Sequence, residues 1–209
     1  MSDYAELYDA ILAGNAKKAG EVTKAAMEAK ADPGELVQKY MIPAMDEVGR
    51  RFECNEYFVP ELLIAARAMK VSLELITPLL AAAGAEPAGR VVIGTVQGDL
   101  HDIGKNLVAS MLEGGGFQVV DLGVDVSPER FVEAAKEKDG TIVALSALLT
   151  TTMTMMKNVI QALEQAGIRK STKVMIGGAP ITQQFAEEIG ADGYSENASA
   201  AVVLARTLV

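Results

Sequence analysis

The chain has 209 residues, of which half are hydrophobic and 22% are charged, as is typical of a globular protein with an apolar core. Its net charge of −9 argues against binding to nucleic acid, because phosphate recognition needs clustered Lys and Arg. No stretch reaches the roughly 18 apolar residues of a membrane span, and the N-terminal segment lacks the pattern of a secretory signal. We therefore expect a cytoplasmic protein that does not enter a membrane.

The first part of the chain has the pattern of a small helical bundle. Asn15 is placed to cap one helix over residues 17–30, and Asp32, followed directly by a proline, is a typical helix start. Apolar residues at helical spacing come next, with a local break expected at Pro43. A further long helix is expected from about 59 to 83. Together these patterns predict a four-helix bundle over residues 1–86.

A different pattern follows the segment 84–89, whose Gly, Ala and Pro residues indicate a linker. From residue 90 onward, short apolar runs typical of strands alternate with helical patterns through five repeats, which predicts a parallel sheet covered on both faces. We interpret residues 90–209 as a doubly wound α/β domain with flavodoxin-like strand order. The strands are expected at 90–95, 117–122, 141–146, 173–177 and near Tyr194. The helices are expected at 103–113, from 127 to 138, up to 166, from 182 and from 197.

The expected strand order locates the ligand site. In an open parallel sheet, ligands bind at the carboxyl ends of the two strands where the order reverses, here the first and the third. The loops that follow those strands are 96–104 and 147–152. Residues that carry chemistry should therefore lie in these two loops.

The loop after the first strand contains His101, the only histidine of the chain. Asp99 lies two residues earlier, so on extended backbone both side chains project to the same side. A carboxylate bonded to one ring nitrogen fixes the tautomer and makes the other nitrogen a better metal donor. Gly98 and Gly104 allow a bulky group to approach the backbone closely.

The single histidine limits which metal site is possible. Zinc needs three or four protein donors, whereas the chain offers no second histidine and only one cysteine, Cys54. One imidazole is enough when a macrocycle already supplies four nitrogens, so a haem or a corrin fits better than a bare ion. A hydrolase triad of Ser146, His101 and Asp99 is disfavoured, because Ser146 does not stand in a Gly-x-Ser-x-Gly turn.

Three motifs together resemble the signature of cobalamin-binding domains. They follow the first, third and fourth expected strands and read Asp99-Leu100-His101-Asp102-Ile103-Gly104, Ser146-Ala147-Leu148 and Gly177-Gly178. The resemblance covers essentially the whole chain. It is strongest to the corrinoid proteins of methyltransferase systems in methanogens and acetogens, and to the cobalamin-binding module of methionine synthase.

The resemblance implies a corrinoid bound base-off, with His101 as the axial ligand of cobalt and the benzimidazole tail threaded into the sheet. It implies that Ser146 bonds the tail and that Leu148 lines its pocket. The remaining cofactor-binding positions implied in this half are Gly98, Asp99, Asp102, Ile103, Gly104, Thr150, Gly177, Gly178 and Ala198. A relay of His101, Asp99 and Thr152 is implied as the catalytic unit; alternatively, Thr152 is a helix N-cap, or serves as both.

The helical half also matches the family. Its members cover the methyl-bearing face of cobalt with apolar side chains, and the matching positions here are Phe52, Val59, Leu62 and Leu63. The alternative for each of these residues is an ordinary place in the core of the bundle.

By resemblance, the chain is a methyl carrier in one-carbon metabolism, a subunit of a methyltransferase system rather than a complete enzyme. It would accept a methyl group on Co(I) from a substrate-specific methyltransferase. A second, acceptor methyltransferase would take it from methyl-Co(III) to a thiol or tetrahydropterin, and a reductive activase would restore oxidised cobalt. The donor stays open among methanol, methylamines, methoxylated aromatics and betaines. The alternatives are a cobalamin-binding sensor or regulatory module and, less favoured, a mutase small subunit.

Overall fold

The computed structural model describes residues 4–82, 87–138 and 141–209. It divides into two compact units, Met1–Pro87 with Glu113–Gly116, and Ala88–Leu112 with Phe117–Val209. Part of the predicted linker 84–89, and the expected end of the long helix at 83, lie outside the described residues. Among the residues described, no helix is long and apolar enough to cross a membrane.

The first unit consists of helices. Their bounds are α1 Ala5–Leu12, α2 Ala16–Glu28, α3 Pro33–Leu36, a π-helical turn Val37–Met41, α4 Ile42–Glu53 and α5 Val59–Ala82. The predicted caps are present, since the side chains of Asn15 and Asp32 accept backbone N–H groups of the helices that follow them. The core of this unit consists of large side chains that are fully buried, among them Leu7, Ile11, Leu36, Met41, Leu62, Met69 and Ile76.

The break expected at Pro43 takes the form of the π-helical turn that precedes it. Proline has no N–H to donate, and its ring crowds the carbonyl of the residue four positions earlier in an ordinary α-helix. Widening the helix at Val37–Met41 relieves that crowding. Helical backbone therefore runs on from α3 into α4.

The second unit alternates strands and helices, as predicted. The bounds are β1 Arg90–Thr95, α6 Ile103–Gly114, β2 Gln118–Asp121, α7 Pro128–Ala135, β3 Thr141–Ser146, α8 Met155–Gln165, β4 Lys173–Gly177, α9 Gln183–Ile189, β5 Gly193–Tyr194 and α10 Ala198–Leu208. All pairings are parallel, and the order is β2-β1-β3-β4-β5. The flavodoxin-like order is thus confirmed, with its switch point between β1 and β3.

Some predicted element ends were wrong by a few residues. The helix α2 ends at Glu28, because Lys30 adopts a left-handed conformation with φ of 58° that terminates the helix. The helix α7 ends at Ala135 rather than at Lys138, whose carbonyl accepts a hydrogen bond from the Thr141 hydroxyl at the start of β3.

Candidate functional site

The three sequence motifs meet at one edge of the sheet. Thr95, the last residue of β1, is the register partner of Ser146, the last residue of β3. Ser146 pairs in turn with Gly177, the last residue of β4. The loops that carry His101, Leu148 and the Gly-Gly pair therefore leave the sheet side by side.

The His101 ring is held by Asp99, as the spacing of the two residues predicted. The ring nitrogen Nδ1 lies 2.7 Å from Asp99 Oδ1, and the His101 backbone N–H donates to the same oxygen at 3.1 Å. The Thr95 hydroxyl donates to the His101 carbonyl at 2.8 Å, which ties the loop back to its strand. With Nδ1 engaged by a carboxylate, Nε2 is the ring nitrogen available to a metal.

The second oxygen of Asp99 accepts hydrogen bonds from the loop after β3. The Thr152 hydroxyl donates to Oδ2 at 2.6 Å, and the Leu148 backbone N–H donates to it at 2.8 Å. Asp99 is completely buried. Burial opposes its ionisation, but the hydrogen bonds from Thr152, Leu148 and His101 outweigh burial and hold the pKa of the Asp99 carboxyl well below its ordinary value.

His101, Asp99 and Thr152 thus form one hydrogen-bonded chain that joins the β1 and β3 loops. The alternative of Thr152 as a helix N-cap is wrong, because α8 begins at Met155 and its N-cap is Thr154. No hydrogen bond between Ser146 and His101 is found in the described residues, which gives a hydrolase triad no support.

Several large apolar side chains of the loops after β1 and β3 are exposed, as is His101. The imidazole itself is about half exposed, with 51% of its side-chain surface accessible. Leu100 is 71% exposed, Ile103 is 83% exposed and Leu148 is 43% exposed. Large apolar side chains this exposed around a single imidazole indicate a surface that an apolar partner covers.

The donor set and the space around it fit a corrin better than a bare metal. A Cβ built on Gly104 would meet no atom within 4 Å, so the backbone beside His101 is open to a flat macrocycle. Among residues 4–82, 87–138 and 141–209, no group of three or more His, Cys, Asp or Glu side chains could hold an ion. One imidazole beside open apolar surface is what a metal already held by four ring nitrogens requires.

The Gly-Gly pair is required by close packing of the backbone. Gly178 has φ of 135°, and a Cβ there would lie 1.9 Å from the Ala147 carbonyl oxygen. At Gly177, a Cβ would approach the Ser195 carbonyl oxygen to 3.2 Å. The β3 and β4 loops can therefore pass this closely only with glycine at position 178.

The remaining predicted positions of this unit lie near the same edge but outside the relay. Thr150 and Asp102 are exposed, and Asp102 accepts a hydrogen bond from the Asn106 side chain at 3.1 Å. Ala198 is buried at the start of α10, whose N-cap is Asn197. Gly98 has φ of 82° and lies within the turn that leads to Asp99.

The four predicted positions of the helical unit fall into different environments. Leu62 is completely buried, Phe52 is half-buried, and Val59 and Leu63 are exposed. Phe58 and Ile64 are exposed beside them. Val59 and Leu63 thus have side chains that a ligand could touch, whereas Leu62 serves the core of the bundle in this conformation.

Sequence reasoning missed the backbone and loop groups that support the relay. The Leu148 N–H that bonds Asp99 has no side-chain signal, although the residue was expected at the site for its side chain. The β2–α7 loop contributes Asp125, which accepts the Gly98 N–H at 2.7 Å. The φ of Asp125 is positive, which Asp tolerates better than most residues, so the residue type was the only signal for it in the sequence.

Comparisons with known proteins show which family this chain belongs to. Models of the B12 binding domain match residues 89–203 and residues 4–77. A trimethylamine corrinoid protein of Methanosarcina acetivorans is 46% identical over 207 residues, which cover 98% of this chain and 96% of that protein.

Two solved structures are also similar over most of this chain. A cobalamin-binding protein of Desulfitobacterium hafniense is 35% identical with a TM-score of 0.81, and the match covers all of both chains. A chain of the methanol:cobalamin methyltransferase complex of Methanosarcina barkeri is 33% identical with a TM-score of 0.84. That match covers 96% of this chain and 76% of the other.

A helical unit followed by a doubly wound sheet, with one carboxylate-bound histidine at the switch point, defines a class of protein that binds a macrocyclic metal cofactor. The chain belongs to the B12-binding family, as the matches of both units and the corrinoid relatives show.

Proposed function

We propose that this protein is a methyl carrier that shuttles a methyl group between two methyltransferases. When bound, the corrinoid supplies a cobalt that accepts a methyl group from one enzyme and yields it to another. The observation that carries the proposal is the chain of hydrogen bonds from His101 through Asp99 to Thr152. We propose in addition that His101 replaces the cofactor's own base as the axial ligand.

The role of Asp99 in this proposal is to present one ring nitrogen of His101 to the cofactor. Its Oδ1 atom accepts a hydrogen bond from the Nδ1–H group, so that Nε2 keeps its lone pair for coordination. The Thr152 hydroxyl and the Leu148 N–H keep the carboxylate ionised in spite of its burial. An ionised Asp99 makes the imidazole a stronger donor than a histidine that lacks a partner.

The apolar surroundings have a second role. Leu100, Ile103 and Leu148 offer exposed surface that a corrin would cover, which excludes water from the ring nitrogen beneath it. Residues 1–86 are proposed to act as a cap domain over the opposite face of the corrin, with Phe52, Val59 and Leu63 as contact residues. Residues 90–209 are proposed to hold the cofactor.

The comparisons favour the carrier over the sensor. Relatives that match nearly the whole chain are named trimethylamine and dimethylamine corrinoid proteins, and one similar structure belongs to a methyltransferase complex. A methylamine methyltransferase is therefore the first donor partner to test. A thiol or tetrahydropterin methyltransferase is proposed as the acceptor partner, and a reductive activase as the third partner.

The ligand assignment can be tested with unusual clarity because His101 is the only histidine. Protein grown with ¹⁵N-histidine and purified without a polyhistidine tag should be loaded with Co(II) cobalamin. We expect the nitrogen splitting in the EPR spectrum to change from a triplet to a doublet on labelling, and to vanish in His101→Ala. A triplet that persists after labelling would mean that the benzimidazole stays bound to cobalt.

The carrier function is tested separately with a trimethylamine methyltransferase and an acceptor methyltransferase. The wild-type protein, loaded with reduced cobalamin, should support methyl transfer from trimethylamine to the acceptor thiol. His101→Ala should slow it by at least tenfold. If the protein binds cobalamin tightly but supports no methyl transfer from any of the methyl donor classes tested, the cobalamin-binding sensor would be favoured instead.

A further inference from the structure

The loop between β2 and α7 is attached to the loop that carries His101 through several hydrogen bonds. The Thr95 backbone N–H donates to the Gly123 carbonyl at 3.0 Å, and the Val126 N–H donates to the Thr95 carbonyl at 3.0 Å. Val96 and Val126 form an isolated parallel bridge. The β2–α7 loop therefore continues the sheet beyond the end of β1, beside the turn that leads to Asp99.

Asp125 makes the two contacts of this loop that lie nearest to Asp99. Its Oδ1 atom accepts the Gly98 N–H at 2.7 Å, and its own backbone N–H donates to the Asp99 carbonyl at 3.0 Å. The Asp99 N–H meanwhile donates to the Val96 carbonyl at 3.1 Å. The backbone on both sides of Asp99 is thus held, and Asp125 supplies two of the three bonds.

The backbone conformation that lets Asp125 make these contacts is unfavourable in itself. Its φ is 54°, in the left-handed region, which is unfavourable for residues other than glycine and least so for Asn and Asp. Glycine would satisfy the backbone here without strain, but it would have no side chain to accept the Gly98 N–H. Strained conformations of this kind persist where the surroundings demand them and are concentrated at functional sites.

The same loop is anchored on the other side of the His101 segment. Asp121, the last residue of β2, accepts a hydrogen bond from the Lys105 ammonium, which is almost completely buried in α6, and its Oδ1 accepts the Gly123 N–H at 2.8 Å. Residues 98–105 are therefore held at one end by Asp125 of the β2–α7 loop and at the other end by Asp121, the last residue of β2. The segment has little freedom to carry the imidazole away from its position.

We propose that Asp125 is a positioning residue for His101, acting through Gly98 and Asp99. By fixing the backbone of Gly98 and Asp99, it holds the Asp99 carboxylate where Oδ1 meets His101 Nδ1 and Oδ2 meets Thr152. It does not touch the imidazole itself. The consequence for cobalt ligation rests on the proposed function, whereas the consequence for the imidazole does not.

Two substitutions distinguish the contribution of the Asp125 side chain from that of its backbone conformation. Asn and Gly both tolerate positive φ, but only Asn keeps an oxygen that accepts the Gly98 N–H. We expect Asp125→Gly to lower the ratio of His-ligated to His-free Co(II) cobalamin by about fivefold, the equivalent of one hydrogen bond. Asp125→Asn should retain most of the ligation. Glu188→Ala, on the exposed face of α9, is the control for loss of a surface charge.

A second measurement uses the protein without cofactor. Because His101 is the only histidine, ¹⁵N-histidine gives one pair of ring nitrogen signals, and their shifts report which nitrogen carries the proton. The parent protein and Asp125→Asn should show the Nδ1-protonated tautomer, whereas Asp125→Gly should show a mixture of tautomers. Thermal unfolding of each variant checks that the fold is intact.

The outcomes distinguish the failure of this inference from that of the proposed function. If Asp125→Gly keeps the tautomer and the cobalt ligation of the parent protein, Asp125 does not position His101. The same conclusion follows if Asp125→Asn loses tautomer and ligation to the same extent as Asp125→Gly. If the parent protein shows no histidine coupling to cobalt but Asp125→Gly still gives a mixture of tautomers, the positioning role stands and the ligand assignment is wrong.

Discussion

The Thr152 hydroxyl donates to the Asp99 carboxylate at 2.6 Å, although 53 positions separate the two residues in the chain. This bond connects the loops after β1 and β3 at the switch point of the sheet. The same carboxylate binds His101 through its other oxygen. A substitution at Thr152 should therefore affect the imidazole of His101 through Asp99, although Thr152 makes no hydrogen bond to the imidazole itself.

The first prediction concerns the Thr152 hydroxyl. Thr152→Val keeps the shape of the side chain but removes a donor to a buried carboxylate, and hydrogen bonds to charged groups contribute about 1.5–3 kcal/mol. We expect the free energy of unfolding, measured in urea, to fall by about that amount. Thr152→Ser should retain most of the stability, since it keeps the hydroxyl.

Thr151 provides a matched control for this prediction. It is adjacent and exposed, so Thr151→Val removes the same atoms from a residue that has no bond to Asp99. Its effect should stay within about 0.5 kcal/mol of zero. Equal losses in the two variants would show that the Asp99 bond contributes nothing to stability.

A second prediction concerns Glu47 in the helical unit and the pH dependence of stability. Its carboxylate accepts hydrogen bonds from Arg50 Nε at 2.7 Å and from Arg51 Nε at 2.8 Å, which lower the pKa of Glu47 from 4.5 to about 2. A carboxyl whose pKa is lower in the folded state stabilises the fold above its unfolded pKa. Its contribution is then lost as the pH falls from about 4.5 to about 2.

Glu47→Gln tests this dependence. The difference in melting temperature between the parent protein and Glu47→Gln should be constant from pH 7 to about 5 and should shrink as the pH falls towards 2. Glu56→Gln is a suitable control, because Glu56 is more exposed and lies 3.5 Å from Arg50 in a looser ion pair. A difference that does not change with pH would contradict the lowered pKa of Glu47.

The helices and strands could be predicted from the sequence because the signals for them lie within a few residues of each other. Side-chain caps at Asn15, Thr182 and Asn197 mark helix starts within three residues, and the apolar run of β1 is buried at every position. The pairing of Asp99 with His101 was predictable for the same reason, since the two residues are neighbours. The alternation of strands and helices predicted the parallel sheet, and the flavodoxin-like order was the interpretation given to it.

The features of the site that the sequence did not predict depend on contacts between segments that are distant in the chain. The Asp99 partners Thr152 and Leu148 come from another loop, and only the family resemblance indicated Thr152. Asp125 had no sequence signal beyond its residue type, because its role arises when the β2–α7 loop folds against β1. In α5, Leu62 and Leu63 are both apolar, and the helical pattern alone did not show which of them the bundle buries.

A third prediction separates cofactor binding from folding at Gly104. A Cβ at this position would meet no atom within 4 Å, and the residue lies in the first turn of α6. Gly104→Ala should therefore leave the cofactor-free protein as stable as before, or raise its stability by up to about 1 kcal/mol. If the corrin occupies this open space, the dissociation constant for cobalamin should rise by tenfold or more.

Gly178→Ala is the contrasting variant. Its Cβ would lie 1.9 Å from the Ala147 carbonyl oxygen, so the β3 and β4 loops must move apart even without cofactor. We expect its melting temperature to fall well below that of Gly104→Ala. Unchanged cobalamin affinity in Gly104→Ala would place the corrin elsewhere.

The last prediction uses two adjacent leucines of α5 to test whether the helical unit shields the cofactor. Leu62 is completely buried, whereas Leu63 is 48% exposed. Leu62→Ala should cost about 2–5 kcal/mol of stability, the usual loss for a buried leucine. Leu63→Ala removes the same atoms and should cost much less, because solvent already reaches the side chain.

Any change that Leu63→Ala makes at the cofactor can therefore be attributed to the cofactor's surroundings. We expect light-induced loss of the methyl group from protein-bound methylcobalamin to be several-fold faster in Leu63→Ala than in the parent protein. Val203→Ala, which shortens an exposed aliphatic side chain on α10, should leave this rate unchanged. If Leu63→Ala and Val203→Ala behave alike, Leu63 is a surface residue of the helical unit and does not cover the methyl-bearing face.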